Sequence, residues 1–331
     1  MAPRTPDFIC IGSAKSGTTW LYQVLSECAG YWMPPLSEIR YFGGKDIGTR
    51  DEPHLSLAEA YPCIEKSELE WIRAYVKGEP KDDSWYISLF SEAGDRTTGD
   101  ISPSYAVLPP RFIQRAKQVV PDAHVIMIIR NPVDRAISQA LHLARKDIFG
   151  GNAARFAASE LAAQLGISGD RKQRHLALME RYHIPWRSRA DLEMILDTHN
   201  KASGDNATLD GLLGQSPARV SADALRTHLN DPGVLRRNRQ SETITNWRSV
   251  FGTQMHVFRF NELVVDPARF LEAVTMRLGR VATRTADPAA VRKRFNIGFY
   301  GAVDGLEEIR AELKSQYADE IAQLDDLAAQ Q

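Results

Sequence analysis

The chain has 331 residues, 43% hydrophobic and 25% charged, a composition that excludes disordered, collagenous and coiled-coil proteins. Forty-one Lys and Arg against 42 Asp and Glu give a formal net charge of -1, so no global field favours nucleic acid or an anionic membrane, and any anion site has to be local. The longest apolar run, residues 125–129, is far short of the roughly 20 residues that span a membrane.

Residues 8–12, Phe-Ile-Cys-Ile-Gly, form a continuous apolar run ending at glycine, the pattern of a parallel strand buried on both faces. An ordered motif this close to the N-terminus leaves no signal peptide and predicts a cytoplasmic protein. Cys10, Cys28 and Cys63 are an odd number without metal-ligand spacing and read as reduced core thiols. A tight loop, 13–19, leads into a helix on which Leu21, Val24, Leu25 and Cys28 fall at helical spacing.

A second strand is predicted at 124–129, closed by Arg130. The helix after it has Asn131 as N-cap, Pro132 at its first position and Ala136, Ile137, Ala140 and Leu141 as its apolar face. Residues 150–232 break into helical segments separated by Gly, Asn and Asp, which reads as a helical insertion over the sheet edge. A third strand is predicted at 255–260. The tail, 306–327, carries apolar residues at helical spacing from Leu306 to Leu324 and predicts one long amphipathic helix. The expected fold is a single α/β domain over 1–331, with a central mostly parallel sheet and helices on both faces.

The loop Gly12-Ser13-Ala14-Lys15-Ser16-Gly17-Thr18-Thr19 lies between a buried strand and a helix N-terminus, where free N–H groups and the positive dipole end attract an anion. Gly12 and Gly17 are spaced as in a Walker A loop, but Thr18 stands where that motif requires Lys. The lysine sits inside the loop, as Lys15, from where it reaches toward the terminal group of a bound phosphate ester, while Thr18 and Thr19 bond the phosphate behind it.

These residues resemble a known family. Residues 8–21, Phe-Ile-Cys-Ile-Gly-Ser-Ala-Lys-Ser-Gly-Thr-Thr-Trp-Leu, look like the 5′-phosphosulfate motif of sulfotransferases that use 3′-phosphoadenosine 5′-phosphosulfate (PAPS). Residues 126–142 resemble that family's 3′-phosphate motif, in which a strand-ending Arg and a Ser eight residues later bind the phosphate; the roles fall on Arg130 and Ser138. The resemblance implies a P-loop-like fold and transfer of a sulfuryl group from PAPS to a hydroxyl or amine, releasing adenosine 3′,5′-bisphosphate (PAP). It implies no metal and an acceptor that is a small molecule, lipid or carbohydrate, and leaves the oligomeric state open. Lys15, Ser16, Gly17, Thr18, Thr19 and Trp20 then hold the 5′ side of the co-substrate. Arg292 and Arg294, before a Gly-containing segment at 296–300, loosely match the loop that closes over the 3′-phosphate. Arg135 reads as a surface or carboxylate-paired arginine beside Asp134.

Sulfuryl transfer calls for cations around the breaking bond and a base for the acceptor's proton. Lys15 fits the first role. Glu38, in Pro34-Pro35-Leu36-Ser37-Glu38-Ile39-Arg40-Tyr41-Phe42, matches the base segment of the heparan-sulfate and bacterial branch, although Ser37 replaces that branch's usual Lys. Asp100, His142 and His183 are the alternative bases, and an ion pair with Arg40 or Arg50 is the competing fate for Glu38. A phosphoryl-transferring enzyme of the same fold is the second reading; Thr18 in place of Lys and the lack of a strand-ending Asp of Walker B type weigh against it. A non-enzymatic nucleotide-binding scaffold predicts loss of residues like Lys15, which is present.

Overall fold

The computed structural model describes residues 4–43, 66–149, 189–204, 220–279 and 305–329, with seven isolated residues, among them Val291, outside these runs. Five strands form one sheet in the order β2-β3-β1-β4-β5: β1 (Phe8–Gly12), β2 (Tyr31–Trp32), β3 (Thr97–Ile101), β4 (His124–Ile129) and β5 (Met255–Arg259). Every pairing is parallel, so the segments leaving β1, β3, β4 and β5 emerge along one edge. Phe8 pairs with Gly99 on one side and His124 on the other, which makes β1 the centre of the sheet.

Alternate residues of the strands feed two cores, as the two-residue side-chain period requires. Ile9, Ile11, Val125, Met127, Ile129 and Val257 pack on one face with α4 (Pro110–Val119) and α9 (Gln240–Phe251), including Ile113, Ile244 and the fully buried Trp247. Phe8, Cys10, Ile126, Ile128 and Phe258 pack on the other with α1 (Thr18–Glu27) and α11 (Pro267–Arg277), through Leu21, Val24, Phe270 and Val274. Each such side chain contributes roughly 1.5–3 kcal/mol of burial. Cys10 and Cys28 are buried thiols outside any disulfide, and burial pushes the Cys10 thiol up to about 12; Cys63 lies outside the described residues.

The other described helices include α2 (Lys66–Lys77), α3 (Asp83–Ser88), α5 (Pro132–Phe149), α6 (Arg189–Ser203), α7 (Ala222–Leu229), α8 (Pro232–Arg237) and α10 (Phe260–Val265). Val133 N–H donates to Asn131 Oδ1 at 3.0 Å, the expected cap of α5. The first two of the predicted helical segments between 150 and 189 lie outside the described residues; α6 and α7 fall within 150–232, and α7 buries Leu225 and Leu229 against α5.

The tail departs from the expected single helix. It is two, α12 (Leu306–Gln316) and α13 (Ala318–Ala329), broken at Tyr317. The reason is packing: Ile309, Leu313 and Tyr317 join the α5–α7 core, whereas Leu324 joins the core of the sheet face that carries α9, and one straight helix cannot present its stripe to both. Strand β5 also stops one residue early, at Arg259, whose N–H donates to the Glu262 carboxylate at 3.3 Å as Phe260 opens α10. No helix among the described residues is long and apolar enough to cross a membrane.

Candidate active site

The loop after β1 turns on the edge of the sheet. Ser13 N–H donates to Ile128 O of β4 at 2.8 Å, and Ser16 N–H closes back on Ser13 O at 3.2 Å. Gly17 begins α1 at φ 86°, and a side chain there would also drive into Leu263 Cδ2 at 2.5 Å, so the position demands glycine. No side chain caps α1 and no acid lies in its first turn, so its positive end is free to attract an anion as far as these residues go. Ser16 is completely buried, and its Oγ has no hydrogen-bond partner among the described residues. An orphaned hydroxyl inside an uncapped helix start is a cost unless a ligand oxygen meets it.

Lys15 takes φ 69°, a left-handed conformation that costs a non-glycine residue about 1–2 kcal/mol. What holds it is Arg130, whose Nη1 donates to Lys15 O at 2.6 Å. The Arg130 guanidinium also lies over the Phe260 ring, 4.6 Å from its centroid, a cation–π contact. Arg130 and Phe260 border a cavity of ≈ 410 Å³ between the ends of β4 and β5, closed by Val264, Arg259 and Leu324. Ser138 lies half-buried two turns into α5. Thr18 is buried in the first turn of α1 and Thr19 half-buried beside it. Trp20 packs edge-on against Phe270, its Nε1 donating to Val291 O at 3.0 Å. Arg292, Arg294 and His183 lie outside the described residues; His142 is exposed on α5.

Glu38 and Arg40 form an ion pair, the competing fate named above for Glu38, and both take positive φ, 63° and 61°. Their segment is stitched to the end of β3: Glu38 N–H donates to Ile101 O at 3.0 Å and Arg40 N–H to Ser102 Oγ at 3.0 Å. Arg237, at the end of α8, lies within electrostatic range of Arg40 and Glu38; burial, with Arg40 nearby, holds its guanidinium below the usual arginine range. Sequence reading missed Arg237, because nothing in the spacing of α8 ties it to a segment 200 residues earlier.

Asp100 is held inside the protein by three hydroxyl donors. It is 1% exposed and accepts from Ser102 Oγ at 2.6 Å, Tyr105 OH at 2.7 Å and Tyr86 OH at 3.2 Å. Burial and Asp100 itself push both tyrosine hydroxyls well above their ordinary pKa, so they remain donors. Through Ser102, Asp100 anchors Arg40 and the strained segment. Burial outweighs these bonds and raises its own pKa from 3.8 to about 6. The unfolded carboxyl therefore ionises first, and stability falls as pH rises from about 4 to about 6. Asp100→Asn removes this term, so its melting temperature relative to the parent is expected to improve between pH 4 and pH 7. A pH-independent difference in thermal unfolding overturns this.

Arg135 corrects the expectation of a surface or carboxylate-paired arginine. It is fully buried, with Nε donating to Asn238 Oδ1 and Nη2 to Val234 O at 2.8 Å. The C-terminal end of α8 exposes carbonyls that need donors, and the long arginine side chain supplies them from α5. Desolvation lowers its pKa to about 9.

Sequence reading also missed Gln240, the first residue of α9 and wholly buried. Its Oε1 accepts from Ser13 Oγ at 2.9 Å and from Arg130 N–H at 3.1 Å, while its Nε2 donates to Arg130 O at 2.8 Å.

Comparison with known proteins follows the same lines. The chain is similar to a sulfotransferase from Alicyclobacillus acidocaldarius, at 20% identity and TM-score 0.53, covering 98% of this chain and 95% of that one. Sulfotransferase domains from the Synechococcus PCC 7002 olefin synthase (15% identity, TM-score 0.39, covering 96% of each chain) and from the curacin biosynthetic pathway (13%, 0.42, covering 94% of this chain and 98% of that one) also match. No curated protein matches. The model of the Sulfotransferase family matches residues 6–183, more than half of the chain and the stretch that carries the Lys15 loop, Glu38, Arg130 and Ser138. Strands β1 to β4, the glycine loop and the strand-ending arginine thus stand where that match runs, and the chain belongs to the sulfotransferase family.

Proposed function

We propose that the protein transfers a sulfuryl group from PAPS to a hydroxyl or amine of a small-molecule, lipid or carbohydrate acceptor and releases PAP. The observation that carries this reading is the buried Ser16 hydroxyl, without a partner among the described residues, at the uncapped start of α1: the loop is built for an anion that none of the described residues supplies.

PAPS supplies the sulfuryl group and a bisphosphate leaving group. The loop N–H groups with Ser16, Gly17, Thr18 and Thr19 hold its 5′ phosphate, and Trp20 flanks it. Arg130 and Ser138 hold the 3′-phosphate, with Arg292 and Arg294 assigned to the same end. The sulfur–oxygen bond to the 5′ phosphate breaks as a bond to the acceptor oxygen or nitrogen forms; Lys15 stabilises the charge left on the departing oxygen. Glu38 takes the acceptor's proton; Arg40 engages only Oε2 of its carboxylate and so orients it instead of competing with this role. The segment around Glu38 supports the heparan-sulfate and bacterial branch. Residues 150–232 act as the insertion that shapes the acceptor side of a single domain. The chemistry of the loop needs cations and not a bound metal.

The test is calorimetric titration of the purified, metal-free protein with PAP, with ATP and ADP run in parallel with and without Mg²⁺. Binding in the micromolar range, about 8 kcal/mol, by PAP without Mg²⁺ is expected. No PAP binding, with ATP binding only when Mg²⁺ is present, overturns the reading in favour of phosphoryl transfer.

A further inference from the structure

We infer that Gln240 is a positioning residue that couples the loop holding the 5′ phosphate to the arginine holding the 3′-phosphate; the inference rests on the co-substrate reading above. The geometry is direct. A single buried amide bonds the loop at Ser13 Oγ and clasps both backbone groups of Arg130, at distances of 2.8–3.1 Å. Two further bonds complete a ring of contacts: Ser13 N–H to Ile128 O at 2.8 Å, and Arg130 Nη1 back to Lys15 O at 2.6 Å.

Gln240 comes from outside the two segments it joins. It opens α9, which is anchored to the sheet by Ile244, Trp247 and Phe251 in the core. The next residue is fixed as well: Ser241 N–H and Oγ both donate to the Glu320 carboxylate, at 2.8 Å and 2.7 Å. The amide therefore sits on a rigid element, while the groups it holds lie on connections that leave β1 and β4. An amide also matches the need: the carbonyl oxygen has two lone pairs for its two donors, and the NH₂ serves the one acceptor. No other side chain of this length offers both to three groups at once, and with the residue wholly buried, water cannot substitute.

Without the amide, the strand-end carbonyl and N–H of Arg130 lose their fixed partner and its guanidinium loses registry with the loop. A residue acting this way affects co-substrate binding through Arg130, so its effect disappears once Arg130 is gone. A residue that merely supports the core lowers affinity by its own factor in either background.

The experiment is a double-mutant cycle on PAP affinity, measured by calorimetry on the full chain: parent, Gln240→Met, Arg130→Ala and the double variant, with thermal unfolding of each. Gln240→Met alone is expected to weaken PAP binding about tenfold or more, and the double variant to bind within about twofold of Arg130→Ala. Gln240→Asn, whose amide stops one carbon short, runs in the same cycle and is expected to show the same non-additivity, so that a poorly folding Gln240→Met does not decide the matter. Parent-like affinity in both Gln240 variants, or losses that multiply in the double variants, overturns the coupling role while leaving the proposed function intact. A parent protein that does not bind PAP overturns the proposed function and this role with it.

Discussion

Lys15→Ala is expected to lower kcat by about 10²- to 10³-fold while leaving PAP affinity within about threefold, the size of effect that removing one donor to a developing oxyanion produces. The reason lies in how the residue is held. Its backbone adopts φ 69° and its carbonyl is tied by Arg130 Nη1 at 2.6 Å, so the strain is spent on fixing this position of the loop. In the proposed mechanism a lysine held this way at the loop acts on charge that appears only as the bond to the leaving oxygen breaks. In that mechanism a ground-state phosphate is already met by the start of α1 and the Ser16 hydroxyl. The measurement is PAP release from PAPS, to acceptors drawn from a panel of phenols, hydroxy acids and amino sugars or to water, together with calorimetry of PAP binding. Undiminished turnover removes Lys15 from the mechanism, and a loss confined to affinity makes it a ground-state phosphate ligand.

Arg130→Ala is expected to act chiefly on affinity: PAP binding weakened about 10²-fold or more, with kcat at saturating PAPS lowered by no more than about tenfold through the lost bond to Lys15 O. Each hydrogen bond from a guanidinium to a phosphate is worth about 1.5–3 kcal/mol, and a bidentate grip doubles it. The same guanidinium stacks on Phe260 and ties the loop at Lys15 O, so truncation also frees the loop proposed to receive the other phosphate. Calorimetry with PAP reads the affinity and steady-state kinetics the turnover. Unchanged affinity assigns the 3′-phosphate to other residues, and a loss of kcat alone moves Arg130 to the reacting end.

Several parts of this arrangement were legible in the chain because they depend on neighbours in sequence. The runs at 8–12 and 124–129 are strands because near-continuous apolar residues suit a parallel strand buried on both faces, and 255–259 is a mostly apolar strand at the sheet's edge. Asn131 and Pro132 start α5 by local hydrogen bonding and a fixed φ, and the glycine-bounded loop announces itself for the same reason. Strand β3 was not legible. Its sequence, Thr-Thr-Gly-Asp-Ile, is polar, and it is a strand because β1 and β2 flank it and because Asp100 finds two tyrosines and a serine inside the protein. Two-residue β2 is likewise defined only by its partner.

The sequence alone determined the α/β class, the loop with Lys15 and the strand-ending Arg130, since each is written within a window of some fifteen residues whose periodicity and turn chemistry are local. Only the tertiary structure decided that Glu38 pairs with Arg40, that Asp100 is buried among hydroxyl donors, that Arg135 is buried and that the tail breaks at Tyr317. The same holds for Gln240, more than 100 residues from either segment it joins. Burial and hydrogen-bond partners are properties of the packed molecule: a polar side chain has the same identity in water or in the core, and what surrounds it after folding sets its charge, its orientation and its use.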